Sequence, residues 1–226
     1  MQEYAQANQS LKKKMDSINN NADNKYLSAY ENKIKNGGII SVLFSGVGGQ
    51  GILLATSIMA HACLYDGYDV KVTEVHGMAQ RGGSVVGSVR FGKQVFSPII
   101  SRADIIVSLE KLESLRYIDK LENNGIIIIN DYEVLPISVF GGDYTYPHEI
   151  SGKIKNFTSN YFIVKAFETA QQIGSAKTMN VILIGALSNF LPVKAKSWIR
   201  SIEKVVPKKI MDLNLKAFEI GKNFKN

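Results

Sequence analysis

From Ile39 to Tyr65 no Asp, Glu, Lys or Arg interrupts the chain. A run of that length could span a bilayer, but Gly46, Gly48, Gly49 and Gly51 break it in the middle. A buried strand at Ile39–Phe44 and a buried helix from Gly51 to about Tyr65 explain the same run, because parallel strands covered on both faces read as continuous apolar sequence. Asp66-Gly67 supplies the helix stop. Asp69–Val75 then reads as a second strand, so the order strand, helix, strand opens a βαβ unit. Glu74 and His76 fall at its carboxyl end, the edge where open α/β sheets bind ligands.

Further along, Ser84–Phe91 and Gln94–Phe96 flank Gly92-Lys93, a hairpin signal. Ile105–Leu109 and the unbroken run Ile126–Ile129 read as two more buried strands, joined by an amphipathic helix over Lys111–Leu121. Between Val134 and Lys155 the pattern loosens around Pro136, Gly141-Gly142 and Pro147, which mark turns and a small excursion. Helical spacing returns in Tyr161–Gln172, Asn180–Phe190, Lys194–Ile202 and Ile210–Phe224. The fold class is therefore α/β: a Rossmann-like, mostly parallel sheet flanked by helices, with a β-hairpin insertion and a helical C-terminal region. Residues 1–36 are rich in Asn, Lys and Gln. Only Tyr26, Tyr30 and Ile34 recur there at helical spacing, so this segment reads as a polar extension that docks outside the core, before a domain over 37–226.

Composition narrows the classes. A 226-residue chain that is 45% hydrophobic can bury a sizeable core. Its one cysteine, Cys63, cannot form an internal disulfide or ligate an iron–sulfur cluster alone. The net charge of +7 comes from Lys12–Lys14 and from the Lys-rich stretch after Lys194. Neither interleaves aromatics in a nucleic-acid module; a solvated basic surface or a platform for an acidic partner accounts for it. The first residues carry no signal-peptide pattern, so a cytoplasmic location is expected, without membrane or nucleic-acid partners.

Two motifs carry candidate chemistry. The segment GVGGQG fits G-x-G-x-x-G at Gly46, Gly48 and Gly51, the strand–turn–helix pattern whose free N–H groups hold a pyrophosphate. Glu74 stands 23 residues past Gly51, near the offset of about 20 expected for a ribose-binding acid. That would make a nucleotide-dependent oxidoreductase, although no Tyr-x-x-x-Lys pair stands in a convincing context. The second motif, EVHGMAQRGGS over Glu74–Ser84, sets an acid, an imidazole, an amide and a guanidinium among glycines. Gln80 and Arg81 offer donors to a carboxylate, phosphate or carbonyl; a structural turn whose polar groups cap one another is the alternative. His61 reads as a hydrogen-bonded core or interface histidine and His148 as surface. The histidines are too scattered for a zinc motif, and no metal site is expected. No G-x-S-x-G elbow or Walker lysine is present.

Together GVGGQGILLA, EVHGMAQRGGSVVGSVRFG and Ser97-Pro98 through Asp104 resemble the small (beta or gamma) subunit of 2-oxoacid:ferredoxin oxidoreductases over about Ile39–Phe224, and the HGMAQRGG form is most similar to the indolepyruvate branch. The resemblance implies a subunit of an enzyme that decarboxylates a 2-oxoacid on thiamine diphosphate and passes electrons through 4Fe-4S clusters to ferredoxin, releasing an acyl-CoA. It implies that thiamine diphosphate, Mg and the clusters sit on a large partner subunit, with CoA as co-substrate. It also implies that Gly46, Gly48, Gly49, Gln50 and Gly51 form the turn after strand one. His76, Gln80 and Arg81 would complete the active site, with Glu74, Gly82 and Gly83 beside them at a cofactor or CoA contact. The long polar residues 1–36 depart from that family's usual short start. A free-standing NAD(P) enzyme and a non-catalytic CoA- or nucleotide-binding module remain the other readings.

Overall fold

The computed structural model describes residues 23–76, 83–134, 146, 147 and 149–224. In chain order the elements are α1 (Asp23–Lys35), β1 (Ile39–Val47), α2 (Ile52–Tyr65), β2 (Asp69–His76), β3 (Ser84–Gly92), β4 (Ala103–Ser108), α3 (Lys111–Tyr117), β5 (Leu121–Asn130), α4 (Ile150–Lys155), β6 (Tyr161–Val164), α5 (Ala166–Gln172), α6 (Met179–Ser188), α7 (Ala195–Val205) and α8 (Met211–Lys222). One six-stranded sheet runs β2-β3-β1-β4-β5-β6. β1, β4, β5 and β6 pair parallel, while β3 pairs antiparallel with both β1 and β2.

The unbroken apolar runs are strands covered on both faces. In β5, Ile126 and Ile128 point into a large core beneath α2 and α5–α8, while Ile127 and Ile129 point into a smaller one beneath α3 and α4. Alternate residues thus enter different cores, so neither face needs a polar residue. α2 lies on β1, β2 and β3, α6 on β5, and α7 and α8 pack over α2 and α6. No described helix is long and apolar enough to cross a membrane.

The α/β class and the helical C-terminal region match the sequence reading, but several local assignments change. Ser84–Gly92 does not turn back on Gln94–Phe96, which is not a strand. Instead β3 inserts between β1 and β2, so the hairpin is β2–β3 and β2 is not β1's neighbour. Tyr161–Val164 is an edge strand ahead of α5 rather than part of a helix, since its β-branched and aromatic residues pair with Ile127–Asn130. The Lys111 helix ends at Tyr117 and passes through a single 3-10 turn into β5. The N-terminal segment does contribute to the core: Tyr30 and Ile34 of α1 are buried. Lys33 pairs with Asp104, whose other oxygen accepts the Ser41 N–H at 2.9 Å, and the Tyr30 hydroxyl donates to Asp104 C=O at 3.2 Å. Three Tyr and Ile positions at helical spacing suffice to dock a helix that is polar elsewhere.

Candidate functional site

Because β1, β2, β4, β5 and β6 point the same way, their carboxyl ends form one crest, and both glycine motifs emerge there. β1 runs through Gly46 to Val47, so Gly46 belongs to the strand rather than the turn. A Cβ on Gly46 would lie 2.6 Å from Gln50 Oε1 and 3.1 Å from Leu109 Cβ, so this glycine serves packing. Gly51, the N-cap of α2, has φ +84°, and a Cβ there would strike Asn180 Nδ2 at 2.3 Å. The Asn180 amide donates to Gly51 C=O at 3.1 Å. Gly49 is also left-handed, at φ +99°, but faces open space. Gln50 folds back to accept the Val47 N–H at 2.8 Å, and its buried Nε2 has no hydrogen-bond partner among the described residues.

The second motif touches the first. Val47 pairs with Ser84 at the end of the β1–β3 ladder, and the Gly48 N–H donates to Gly83 C=O at 2.9 Å. His76 is the last residue of β2. Gly77, Gln80, Arg81 and Gly82 lie outside the described residues, as does His148. Glu74 sits near the exposed end of β2, where its Oε1 accepts from Thr56 Oγ1 of α2 at 2.9 Å. With β3 intervening, Glu74 lies two strand spacings from β1, about 10 Å. A ribose-binding acid normally stands on the strand beside the glycine turn, so this geometry does not favour the dinucleotide arrangement. His61 Nδ1 lies 2.9 Å from Ser57 C=O, a local helix contact, with Tyr65 beside its ring.

Two hollows flank the glycine turn. The larger, about 770 Å³, is walled by Val47–Gly51 and Leu54 on one side and by Tyr132, Phe167, Lys177, Asn180 and Leu213 on the other. Tyr132 and Phe167 are stacked, with ring centroids 3.8 Å apart. The smaller, about 510 Å³, lies between Gly48, Gly49, Leu53 and Val85. Large apolar walls with a few placed polar groups suit an organic ligand.

Beneath the crest lies a buried polar layer that motif reading missed. Ser45 and Ser108 share a 2.8 Å hydrogen bond. Asn130, fully buried, donates to Leu109 C=O at 3.1 Å and accepts the Phe167 N–H at 3.1 Å. Glu110 is 1% exposed. Its Oε2 accepts the Glu113 N–H at 2.9 Å, capping α3, and its Oε1 accepts from Val134 N–H at 3.2 Å and Tyr146 hydroxyl at 2.6 Å. Burial raises the Glu110 carboxyl above its usual range despite those three donors, and burial plus the bond to Glu110 raises the Tyr146 hydroxyl. Glu113, also buried, accepts from Ser84 Oγ and pairs with Arg116 Nε at 3.0 Å. Lys111 is pulled down by burial but lifted further by its bonds to Asp131 and Glu133, so it is held charged. One signal was available: an acid after an apolar run with Glu three residues later is a helix-start pattern. Nothing local marks Asn130 or Asn180, whose partners are distant in sequence.

Residues 41–224 match the family described as pyruvate ferredoxin/flavodoxin oxidoreductase. The chain is 40% identical to indolepyruvate oxidoreductase subunit IorB of Pyrococcus horikoshii over 188 residues, 80% of this chain and 93% of that protein. Among solved structures it is similar to the keto/oxoacid ferredoxin oxidoreductase gamma subunit of Geobacter sulfurreducens, with TM-score 0.61 and 24% identity over 81% of this chain and 94% of that one. It also resembles 2-oxoglutarate:ferredoxin oxidoreductase of Magnetococcus marinus, solved with 2-oxoglutarate, coenzyme A and succinyl-CoA bound. That match has TM-score 0.65 and 19% identity, over 81% of this chain and 30% of that one.

Proposed function

The chain belongs to the pyruvate ferredoxin/flavodoxin oxidoreductase family, and on that premise we propose that it is the small subunit of a thiamine diphosphate-dependent 2-oxoacid:ferredoxin oxidoreductase acting on indolepyruvate or a related aryl-pyruvate. It serves the enzyme by completing a site on a large partner subunit. The observation that carries this reading is the Gly48–Gly83 hydrogen bond. It ties the glycine turn to Gly83 at the return of the Glu74–Ser84 motif, at the crest of the sheet, which supports reading the two motifs as parts of one surface. His76, Gln80 and Arg81 are assigned to that surface, with Arg81 or Gln80 offering donors to the 2-oxoacid carboxylate or to CoA. The 40% identity to an indolepyruvate oxidoreductase subunit supports the aryl substrate, and the coenzyme A in the Magnetococcus enzyme supports CoA as co-substrate.

The donor set of this chain does not fit an iron–sulfur cluster, which takes four thiolates. Cys63 is the single cysteine, it is fully buried in α2, and burial pushes its thiol well above the usual range. The clusters are accordingly assigned to the partner, together with thiamine diphosphate and Mg. The thiamine supplies the electron sink for decarboxylation. Ferredoxin is the proposed electron acceptor, and the cytoplasm the proposed compartment.

Co-expression with a large thiamine- and cluster-bearing subunit tests the division of labour. Ferredoxin reduction driven by 2-oxoacid should require both chains; substantial oxidation by this chain alone would refute it. Arg81→Ala in the assembled complex should lower kcat/KM about tenfold or more, as expected for loss of a charge-assisted contact, whereas full activity would remove the role given to that loop. Calorimetry with NAD should show no micromolar binding; a clear isotherm would favour the nucleotide-dependent reading instead.

A further inference from the structure

Two segments leave the crest beside the glycine turn, one between β2 and β3, the other between β5 and α4. Their described stems converge on one helical turn. Ser84, at the return of the first, donates its hydroxyl to Glu113. Val134 and Tyr146, at the departure and return of the second, both donate to one oxygen of Glu110, at 3.2 and 2.6 Å. The other oxygen of Glu110 takes the Glu113 N–H at 2.9 Å. The two carboxylates are thus joined through the backbone of the same turn, and both are buried, at 1% and 4% exposure. Charged groups seldom stay buried unless bonded. The Glu110 carboxylate has three donors and that of Glu113 two, so each fixes the residues it touches.

From this geometry we propose that the first turn of α3 is a shared mount: Glu110 and Glu113 are positioning residues that hold Ser84, Val134 and Tyr146 in one fixed relation at the crest for the 2-oxoacid and CoA chemistry. The proposal rests on the functional reading above. It goes beyond it in assigning residues that touch no substrate. Neither motif alone would show this, because Glu110 and Ser84 share no hydrogen bond and are linked through the backbone of that turn. A displacement of about 1 Å in a positioning element can cost on the order of 100-fold in rate, so loosening one stem should register in catalysis even with every contact residue intact.

A double-mutant cycle on the two peripheral hydroxyls tests the idea. Ser84→Ala and Tyr146→Phe each delete one oxygen without a cavity large enough to unfold the chain. In the complex with the large subunit, each should lower kcat/KM for the 2-oxoacid about fivefold to tenfold. The double variant should fall well short of the product of the two, because parts of one mount couple. Ser84→Thr, which keeps the hydroxyl, should recover most of the loss. Effects below twofold, or a double variant equal to the product, would overturn the shared mount. Hydrogen exchange on the isolated chain separates this outcome from failure of the functional reading. If wild-type chain and large subunit together oxidise no 2-oxoacid, that reading falls. Glu110→Gln should still speed exchange at the Ser84 end of β3, which Glu110 does not touch; unchanged exchange there would overturn the mount itself.

Discussion

The contact between α6 and α8 sets two opposing effects against each other at one glycine. Gly185 lies in α6, buried from Met179 to Leu187, so Gly185→Ala should gain about 1 kcal/mol of helix propensity. The added Cβ, however, would sit 2.2 Å from Phe218 C=O oxygen, 2.7 Å from the Lys222 nitrogen and 2.9 Å from Gly221 Cα, all backbone atoms of α8. Carbon–oxygen contacts close no nearer than about 3.3 Å, so α8 must retreat by roughly 1 Å, and no side chain can rotate to spare it. Overpacking of this kind costs about 1–3 kcal/mol. A radial gap of that size also forfeits a quarter to a half of the dispersion along the interface. Because only backbone is struck, the cost falls at the upper end of that range, the clash wins, and a net loss of about 2 kcal/mol is expected. Gly152→Ala is the matched control: among the described residues its Cβ would meet only Glu149 Cβ, at 3.9 Å, on the exposed face of α4, so propensity acts alone and stability should rise by about 0.5–1 kcal/mol. Urea unfolding followed by the single tryptophan, Trp198, suits the pair. Its ring is fully buried and stacks on Phe218 with centroids 6.2 Å apart, so the probe sits on the perturbed contact. A Gly185→Ala chain as stable as wild type, or the same sign for both variants, would refute the reasoning.

The remaining predictions concern the mount and the N-terminal helix. The buried Glu110 carboxyl is raised above its ordinary value of 4.5, so as pH rises the unfolded chain releases this proton first and the folded chain binds more protons in between. Stability from this group therefore falls with rising pH across that window, from about 4.5 upward, and Glu110→Gln should flatten that part of the urea-midpoint profile; an unaltered slope would count against the burial argument. Ile34→Ala in α1 should cost about 2–4 kcal/mol, the usual loss for a truncated core isoleucine. A docked appendage outside the core would lose within about 0.5 kcal/mol, and a thermal melt distinguishes the two.

The fold class was legible because most strands and helices announce themselves within their own residues, although the edge strand Tyr161–Val164 did not. Ile126–Ile129 reads as a two-faced strand, and Gly51 marks a helix start that needs a left-handed residue, since those requirements arise over a few bonds. Cys63, the single cysteine, cannot by itself supply the four thiolates of an iron–sulfur cluster. The Glu74–Ser84 motif was recognisable as chemistry by residue type. What the sequence could not provide was strand order. The hairpin around Gly92-Lys93 is locally reasonable, yet β3 gains more by pairing with β1 and β2 along nine-residue and eight-residue registers. That choice is made by long-range ladders whose partners no local window contains. Inserting β3 set Glu74 two strands from the glycine turn and against Thr56, a placement that sequence spacing alone does not reveal. Whether a glycine serves a ligand or a neighbour is likewise a tertiary matter: Gly46 and Gly51 are pinned by Leu109 and Asn180, residues 63 and 129 positions away, while Gly49, identical in sequence terms, opens on solvent. The carboxylates of α3 follow the same logic. Their helix-start pattern is local, but their burial and their bonds to Ser84, Val134 and Tyr146 exist only once β1, β4 and β5 have brought distant residues to one edge.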